Sequence, residues 1–308
     1  MPPETLAAPP CLKIRFGAGD IPGLGVAVPV LDGDALEALF PLAREAGHSG
    51  DFALFRHERW LLGRASLPAG AQLEAHARRL YDGLLHLTHG HALVRVWNYV
   101  PAINEASVSG LENYRAFCRG RSLAFEGQFG TAFKRHAPAA SAVGCEGDTL
   151  AVVFAAHAGP AQHVENPRQV PAYDYPSEHG PRAPVFARAS VVDLGEEMSA
   201  VFISGTAAIC GHVTVAPGET MAQLECTLDN LREISRSCGL GADLAAGRAA
   251  ARYFKVYLRH AADLAPVQAR LEATLVRPED CVVYLRSDIC RRELNVEIEA
   301  SLPLVRLG

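Results

Sequence analysis

Ser287–Leu302 reads SDICRRELNVEIEASL. From Leu294 onward apolar and polar residues alternate. Leu294, Val296, Ile298, Ala300 and Leu302 share one parity; Asn295, Glu297, Glu299 and Ser301 share the other. A strand sends successive side chains to opposite faces, so the segment is predicted as a strand with one apolar and one carboxylate-bearing face. Alternation alone makes Glu297 and Glu299 equivalent, and the ordinary reading of such a face is solvated sheet surface. Just upstream, Cys290 is followed by Arg291 and Arg292. A thiol, two cations and a carboxylate strand this close together read either as the end of an active site or as plain surface.

Outward from this strand, a repeated order of elements emerges. Pro217-Gly218 precedes a helix with apolar positions Met221, Leu224, Leu228, Leu231 and Ile234 on one face. A Gly-rich break, Gly239 to Gly247, leads to the strand RYFKVYLR, where Phe254, Val256 and Leu258 alternate with Lys255, Tyr257 and Arg259. Asp263 is placed to cap a second helix running to about Thr274. Cys281–Leu285 is a further strand. The N-terminal half follows the same order: a helix over Ala71–Leu87, a strand over Ala92–Val100, a helix over Leu111 to about Cys118, and a strand over Leu150–Ala156.

Between the halves, Gly159–Pro184 carries Pro160, Pro167, Pro171, Pro176, Pro181 and Pro184, too much proline for a helix or a central strand. Its Tyr173, Tyr175 and His179 set it apart from a simple spacer, and long ordered loops are often functional. The predicted fold is α+β, two similar halves that each pack helices on one face of a sheet. The boundaries are residues 1–165, a Pro-rich connection over 166–184, and 185–308.

Composition limits the function. The chain has 308 residues, 49% hydrophobic and 20% charged, with a net charge of -5. That balance opposes a nucleic-acid binder held by a general positive field and points to a small-molecule partner. No apolar run reaches the roughly 18 residues of a membrane span. The N-terminus lacks the positive-then-apolar pattern of a signal peptide. Eight scattered cysteines without a C-x-x-C pair fit reduced thiols in a cytoplasmic protein.

Several clusters invite chemistry. His86, His89 and His91 lie close together, but their spacing is wrong for H-E-x-x-H and no fourth ligand is near, so no metal is expected; Gly90 reads as a helix C-cap, where histidine suits the dipole. GAGDIPGLG and SGTAAICGH are Gly-rich without the G-x-G-x-x-G context. WNYVPAIN (Trp97–Asn104) and LENYRAFCRGRSLAFE (Leu111–Glu126) concentrate aromatics, amides and Arg115, Arg119 and Arg121. Such a patch either receives a carboxylated molecule, which guanidinium binds bidentately, or is a helix with solvated arginines. The row Lys255, Tyr257 and Arg259 suits an anionic ring-bearing ligand or is a solvated face. Arg188 closes the proline-rich connection.

In this order WNYVPAIN, LENYRAFCRGR, YPSEHGPRAPVFARAS, FISGTAAICGHVTVAPGETMAQ and YLRSDICRRELNVEIEA resemble the chorismatases, over about Trp97 to Ala300. The C-terminal half also resembles the RidA/YjgF family, of chorismate-mutase-like fold, in VAPGETMAQ and VEIEA. The resemblance implies two RidA/YjgF-like halves, the N-terminal one degenerate. It implies cofactor-free removal of the enolpyruvyl side chain of chorismate as pyruvate. Glu297 matches the family's catalytic acid, which protonates the enolpyruvyl methylene; such an acid needs a raised pKa.

Gly205 and Cys290 match the branch that makes 3-hydroxybenzoate through an arene oxide, where the cysteine helps the oxide to open. Arg291 and Arg292 are placed to favour its thiolate. Alternatives are 4-hydroxybenzoate alongside, or a dihydroxycyclohexadiene acid by hydrolysis. Candidates for binding the two substrate carboxylates are Arg121, Arg188 and Arg259, with Tyr114, Tyr173 and Tyr257 as hydroxyl donors. A different class is a RidA-like imine deaminase or ligand-binding module. That family's carboxylate-binding arginine has no clear match, since Arg277 is early and Asp280 stands near its place. An internal fusion lets one chain supply both halves of a site, so a monomer is expected.

Overall fold

The alternating strand runs Val296–Val305 at the centre of a seven-stranded sheet. The computed structural model describes residues 12–17, 24–107, 110–195, 198–247, 249 and 251–305. The first half comprises β1 (Arg44–Ser49), β2 (Phe52–His57), β3 (Trp60–Pro68), α1 (Leu73–Leu87), β4 (Ala92–Pro101), α2 (Asn113–Phe129), β5 (Ala139–Cys145) and β6 (Thr149–His157). The second comprises β7 (Ala161–Val164), β8 (Ala189–Gly195), β9 (Met198–Ala207), α3 (Thr220–Ser237), β10 (Tyr253–Leu258), α4 (Leu264–Thr274), β11 (Cys281–Arg286) and β12 (Val296–Val305).

The two halves share one topology. The first sheet is ordered β1-β2-β3-β6-β4-β5 and the second β7-β8-β9-β12-β10-β11, followed by the short strand Val30–Asp32. In each, the last strand inserts antiparallel between a hairpin strand and a parallel pair: β4 with β5, and β10 with β11. The fold is α+β. Its second sheet borrows Val30–Asp32 from near the N-terminus, and β7 pairs with β8 although it precedes residue 165.

Three apolar layers build the core. Leu80, Leu84, Phe117 and Phe125 of α1 and α2 pack on Leu61, Val96, Val152 and Phe154 of the first sheet. Leu224, Leu228, Leu231 and Leu271 of α3 and α4 pack on Val256, Val296, Ile298 and Ala300 of the second. Between the sheets lie Val94, Trp97, Tyr99 and Val153 from one and Phe202, Tyr257, Val283 and Leu285 from the other. The polar face of β12 therefore does not meet solvent as alternation suggested: Glu297 and Glu299 are 4% and 2% exposed, inside this middle layer. Strands β8 and β9 of the second half also cover the open edge β5. Ser190 and Ser204 accept hydrogen bonds from the backbone N–H groups of Ala139 and Ala140, at 2.8 and 2.9 Å, which satisfies donors an edge strand would leave bare.

Local expectations fared unevenly. The helices over α1 and α3 and the strands β4, β6, β10 and β11 match the periodicity. Asp263 stands at the start of α4 but makes no side-chain cap; its Oδ2 accepts from Thr220 Oγ1 at 2.7 Å. Helix α2 runs well past Cys118, through Gly120 to Phe129. The glycine is there for packing: a Cβ at Gly120 would stand 2.3 Å from the Glu74 carbonyl oxygen of α1. Gly120→Ala should therefore push the two helices apart and destabilise the chain by about 1–3 kcal/mol. A chemical-denaturation midpoint unchanged from the parent would show that this close approach carries no weight.

Candidate active site

A cavity of about 510 Å³ opens where β5 meets β9 and β12. Its floor is Ser141 on β5, Gly205 on β9 and Glu297 on β12. Helix α2 contributes Tyr114, Arg115 and Arg121. The proline-rich connection supplies Tyr175, Glu178 and His179, and the segment before β12 supplies Cys290 and Arg291. Both halves thus line one space.

The two carboxylates of β12 diverge sharply. Glu299 Oε2 accepts from Arg95 Nη2 at 2.7 Å, Glu299 Oε1 from Trp97 Nε1 at 2.8 Å, and Lys255 Nζ stands 2.9 Å away. Lys255 also pairs with Glu37 at 2.6 Å. Two cations thus meet two anions in the middle layer. Although burial opposes its charge, Lys255 and Arg95 hold Glu299 down at about 2. Glu297 has no such partner: its Oε1 is buried and without a hydrogen bond among the described residues. Burial first, and the neighbouring Glu299 second, push it up to about 8. That upward shift favours the protonated carboxyl group at neutral pH, the state a general acid requires.

Gly205 makes room for that acid. Residues Ile203 and Thr206 of β9 face Ala300 and Ile298 of β12, so one extra residue bulges the strand at Ser204–Gly205. A Cβ at Gly205 would stand 2.0 Å from Glu297 Oε1 and 3.2 Å from Ser141 Cβ. Any side chain here would displace the carboxyl group.

Cys290 lines the cavity, but its thiol is not activated. Burial and Glu297 push it up to about 12. Of the two arginines expected to favour thiolate, Arg291 does pull the thiol down, but less than burial and Glu297 push it up. Arg291 Nη1 donates to His212 O at 2.9 Å and Thr214 Oγ1 at 3.2 Å, and Arg292 donates to Asn104 O beside Glu105.

Of the residues expected to bind substrate, Arg121, Arg188 and Tyr114 line the cavity. Arg121 is 1% exposed, and its Nε has no partner. It packs over the Phe117 and Tyr81 rings, with no carboxylate in ion-pair range among the described residues. Burying an unpaired guanidinium is costly, and an incoming anion removes that cost. Arg188 donates to Tyr175 OH at 2.8 Å and to Val170 O at 3.1 Å; its Nε makes no hydrogen bond among the described residues but stands 4.0 Å from Glu165 Oε2.

Tyr173, Tyr257 and Arg259 are not among the lining residues. Tyr173 packs on the first-half core with Lys134 over its ring. Tyr257 faces Glu299, at 3.3 Å, in the middle layer. Arg259 lies just beyond β10, and its guanidinium is taken up by Asp288 Oδ1 at 2.5 Å and by the carbonyls of Leu294 and Arg291 at 2.8 and 2.9 Å. It braces the segment that carries Cys290. The row Lys255, Tyr257 and Arg259 is therefore filled by protein partners. Arg277 is exposed, and Asp280 is paired with Arg252.

Ser141, Arg291 as a lining cation, and the pairing of His179 with His212 escaped the sequence reading. Ser141 sits in AASAVGC, a strand of small residues with little pattern to read. Tyr175 and His179 were visible as unusual residues in the connection, without a direction.

The family described as "Chorismatase FkbO/Hyg5-like, N-terminal" matches residues 41–156. A chorismatase of Streptomyces rapamycinicus is 38% identical over 264 residues, 83% of this chain and 78% of that protein. A 3-hydroxybenzoate synthase of Streptomyces hygroscopicus is 38% identical over 245 residues, 75% of this chain and 70% of that protein. A chorismatase crystal structure at 1.08 Å resolution superposes with a TM-score of 0.81 and 31% identity, covering 95% of this chain and 92% of that one.

The buried acid has a consequence for stability. Burial moves Glu297 from the usual 4.5 to about 8, so between those values the folded chain holds a proton that the unfolded chain has lost. Its contribution is full at low pH and drains away as pH rises. Glu297→Gln never acquires the charge. The melting temperature of that variant, minus that of the parent, should grow as pH is raised from about 5 to about 9. A constant difference would mean that Glu297 is already ionised in the folded protein.

Proposed function

This chain belongs to the chorismatase family, and we propose that it cleaves chorismate to 3-hydroxybenzoate and pyruvate. The observation that carries the reading is the buried Glu297 carboxyl group, its Oε1 without a hydrogen bond among the described residues, facing a cavity lined by the buried cations Arg121 and Arg188. Chorismate brings two carboxylates. Arg121 and Arg188 are the groups that receive them, with Arg291 as a third cation at the wall. Tyr114 and Tyr175 offer hydroxyls beside those cations.

In the proposed reaction the Glu297 proton passes to the methylene carbon of the enolpyruvyl group. The side chain becomes an oxocarbenium ion, a far better leaving group than the neutral enol ether. The ring hydroxyl attacks the adjacent ring carbon, the C–O bond to the side chain breaks, and pyruvate departs. The hydroxyl proton returns to the Glu297 carboxylate, leaving an arene oxide. The protonated thiol of Cys290 suits the next step as a donor: it gives its proton to the oxide oxygen as the ring C–O bond opens. The resulting thiolate then takes the proton from the carbon that bears the oxygen, and the ring becomes aromatic. Atoms balance without an external oxidant or reductant.

Gly205 supports the branch that forms 3-hydroxybenzoate through the space it leaves around Glu297. A single chain supplies both walls of the cavity, so the proposed catalytic unit is the monomer.

Incubating the protein with chorismate, then assaying pyruvate and identifying the aromatic acid, tests the reading. Pyruvate and 3-hydroxybenzoate should appear in equal amounts. Glu297→Gln should slow their release at least about 100-fold, the usual contribution of a positioned acid. Cys290→Ala should keep pyruvate release while changing the share of 3-hydroxybenzoate. Absence of pyruvate from the parent would end the proposal, and an unchanged product from Cys290→Ala would remove the thiol from it.

A further inference from the structure

The histidines that stand out in the sequence are not the ones that converge. Among the described residues, the metal-capable donor atoms that come together are those of Glu178, His179 and His212, all within 4.8 Å of one another, and not those of His86, His89 and His91. His179 Nε2 and His212 Nδ1 are 3.0 Å apart. Glu178 Oε1 is 3.5 Å from the first and 3.4 Å from the second. The three atoms form a nearly equilateral triangle. An ion of the zinc class lies about 2.0–2.1 Å from nitrogen or oxygen ligands, and tetrahedral geometry then sets ligand atoms about 3.3 Å apart. The triangle matches that spacing.

We propose that Glu178, His179 and His212 form a binding site for a divalent transition cation of the zinc class on the wall of the cavity. The segments that carry the ligands are fixed to one another. His179 ends a short turn, Ser177–His179, in the connection. His212 lies between the paired strands Ile209–Cys210 and Val213–Thr214. Backbone hydrogen bonds from Val170 N to Gly211 O and from Gly211 N to Arg168 O, at 2.9 and 2.8 Å, tie the connection to that hairpin. Nearer the ligands, Arg188 Nη2 donates to Tyr175 OH at 2.8 Å, which holds the connection against the second sheet four residues before His179.

Two imidazoles and one carboxylate select a borderline cation over magnesium or calcium, which prefer all-oxygen sites. Three protein ligands leave a coordination position open, and Glu178 and His179 both line the cavity. That position is available to water or to a carboxylate oxygen. Arg291, whose Nη1 donates to His212 O, places a positive charge beside the ion and weakens its binding relative to a structural zinc site. The competing reading is a proton shared between the two rings, with Glu178 alongside. The proposal concerns binding alone and stands apart from the cleavage reaction.

Calorimetric titration of zinc chloride into the chelator-free full chain tests it, with cobalt(II) as a spectroscopic probe. The parent should bind one ion. His212→Ala and Glu178→Gln should each weaken binding by about tenfold or more; the second changes an exposed side chain and keeps the fold testable. Cobalt should give visible ligand-field bands without thiolate charge transfer. No binding to the parent would favour the shared proton and overturn the site. Affinity untouched by both variants, or a cobalt–thiolate band that places the ion on cysteines such as Cys210 and Cys226, would overturn it equally.

Discussion

Two carboxylates two residues apart on one buried strand face cannot both be ionised unless both are neutralised. The middle layer of this protein neutralises one. Arg95, Lys255 and Trp97 converge on Glu299, while Glu37 takes the remaining side of Lys255. With two cations already balanced by two anions, a charge on Glu297 would stand uncompensated in a place of low dielectric. The protein therefore keeps Glu297 as an acid. The ion cluster beside it is what turns burial into chemistry: its charged Glu299 is a negative neighbour that helps hold the proton on Glu297.

The architecture exists around that arrangement. Two halves of one topology bring their sheets together, and the inner faces form the layer in which the cluster sits. The cavity lies at the rim of that layer, where the edge strand β5 is held by Ser190 and Ser204 and the bulge in β9 opens space at Gly205. The first half supplies the buried cation Arg121, and the second supplies the acid and the thiol. Neither half alone could enclose a dianion and present an acid to it.

Periodicity made the repeated order of helices and strands legible, because the apolar stripes of α1 and α3 and the alternation of β10 and β12 are strong local signals. The far half of helix α2 is hard to see in the sequence because Cys118–Arg121 is rich in charge and contains Gly120, whose value is a contact with Glu74 far away in sequence. Alternation gives β12 two faces and cannot say what covers the polar one, so its buried carboxylates look like surface in the sequence. Glu297 and Glu299 became distinguishable only through family resemblance, and the physical reason for the difference is Arg95 and Lys255, both distant in sequence. Arg259 and Tyr257 looked like ligand-binding groups for the same reason in reverse: their partners, Asp288 and Glu299, are invisible to local pattern. Arg291 and Arg292 adjoin Cys290 in sequence, yet their guanidinium groups donate to His212 O and Asn104 O, and the pull of Arg291 on the thiol is outweighed by burial. Adjacency in sequence says little about the direction of a long side chain.

The claim on which the rest depends is that Glu297 is protonated in the folded protein at neutral pH. Infrared difference spectroscopy, comparing the parent with Glu297→Gln across a pH titration, observes this group directly. A buried carboxylic acid C=O band should be present at neutral pH in the parent, absent from the variant, and lost with a midpoint near pH 8. A parent spectrum without that band at neutral pH, with the glutamate ionising in the ordinary range near 4, would contradict the account.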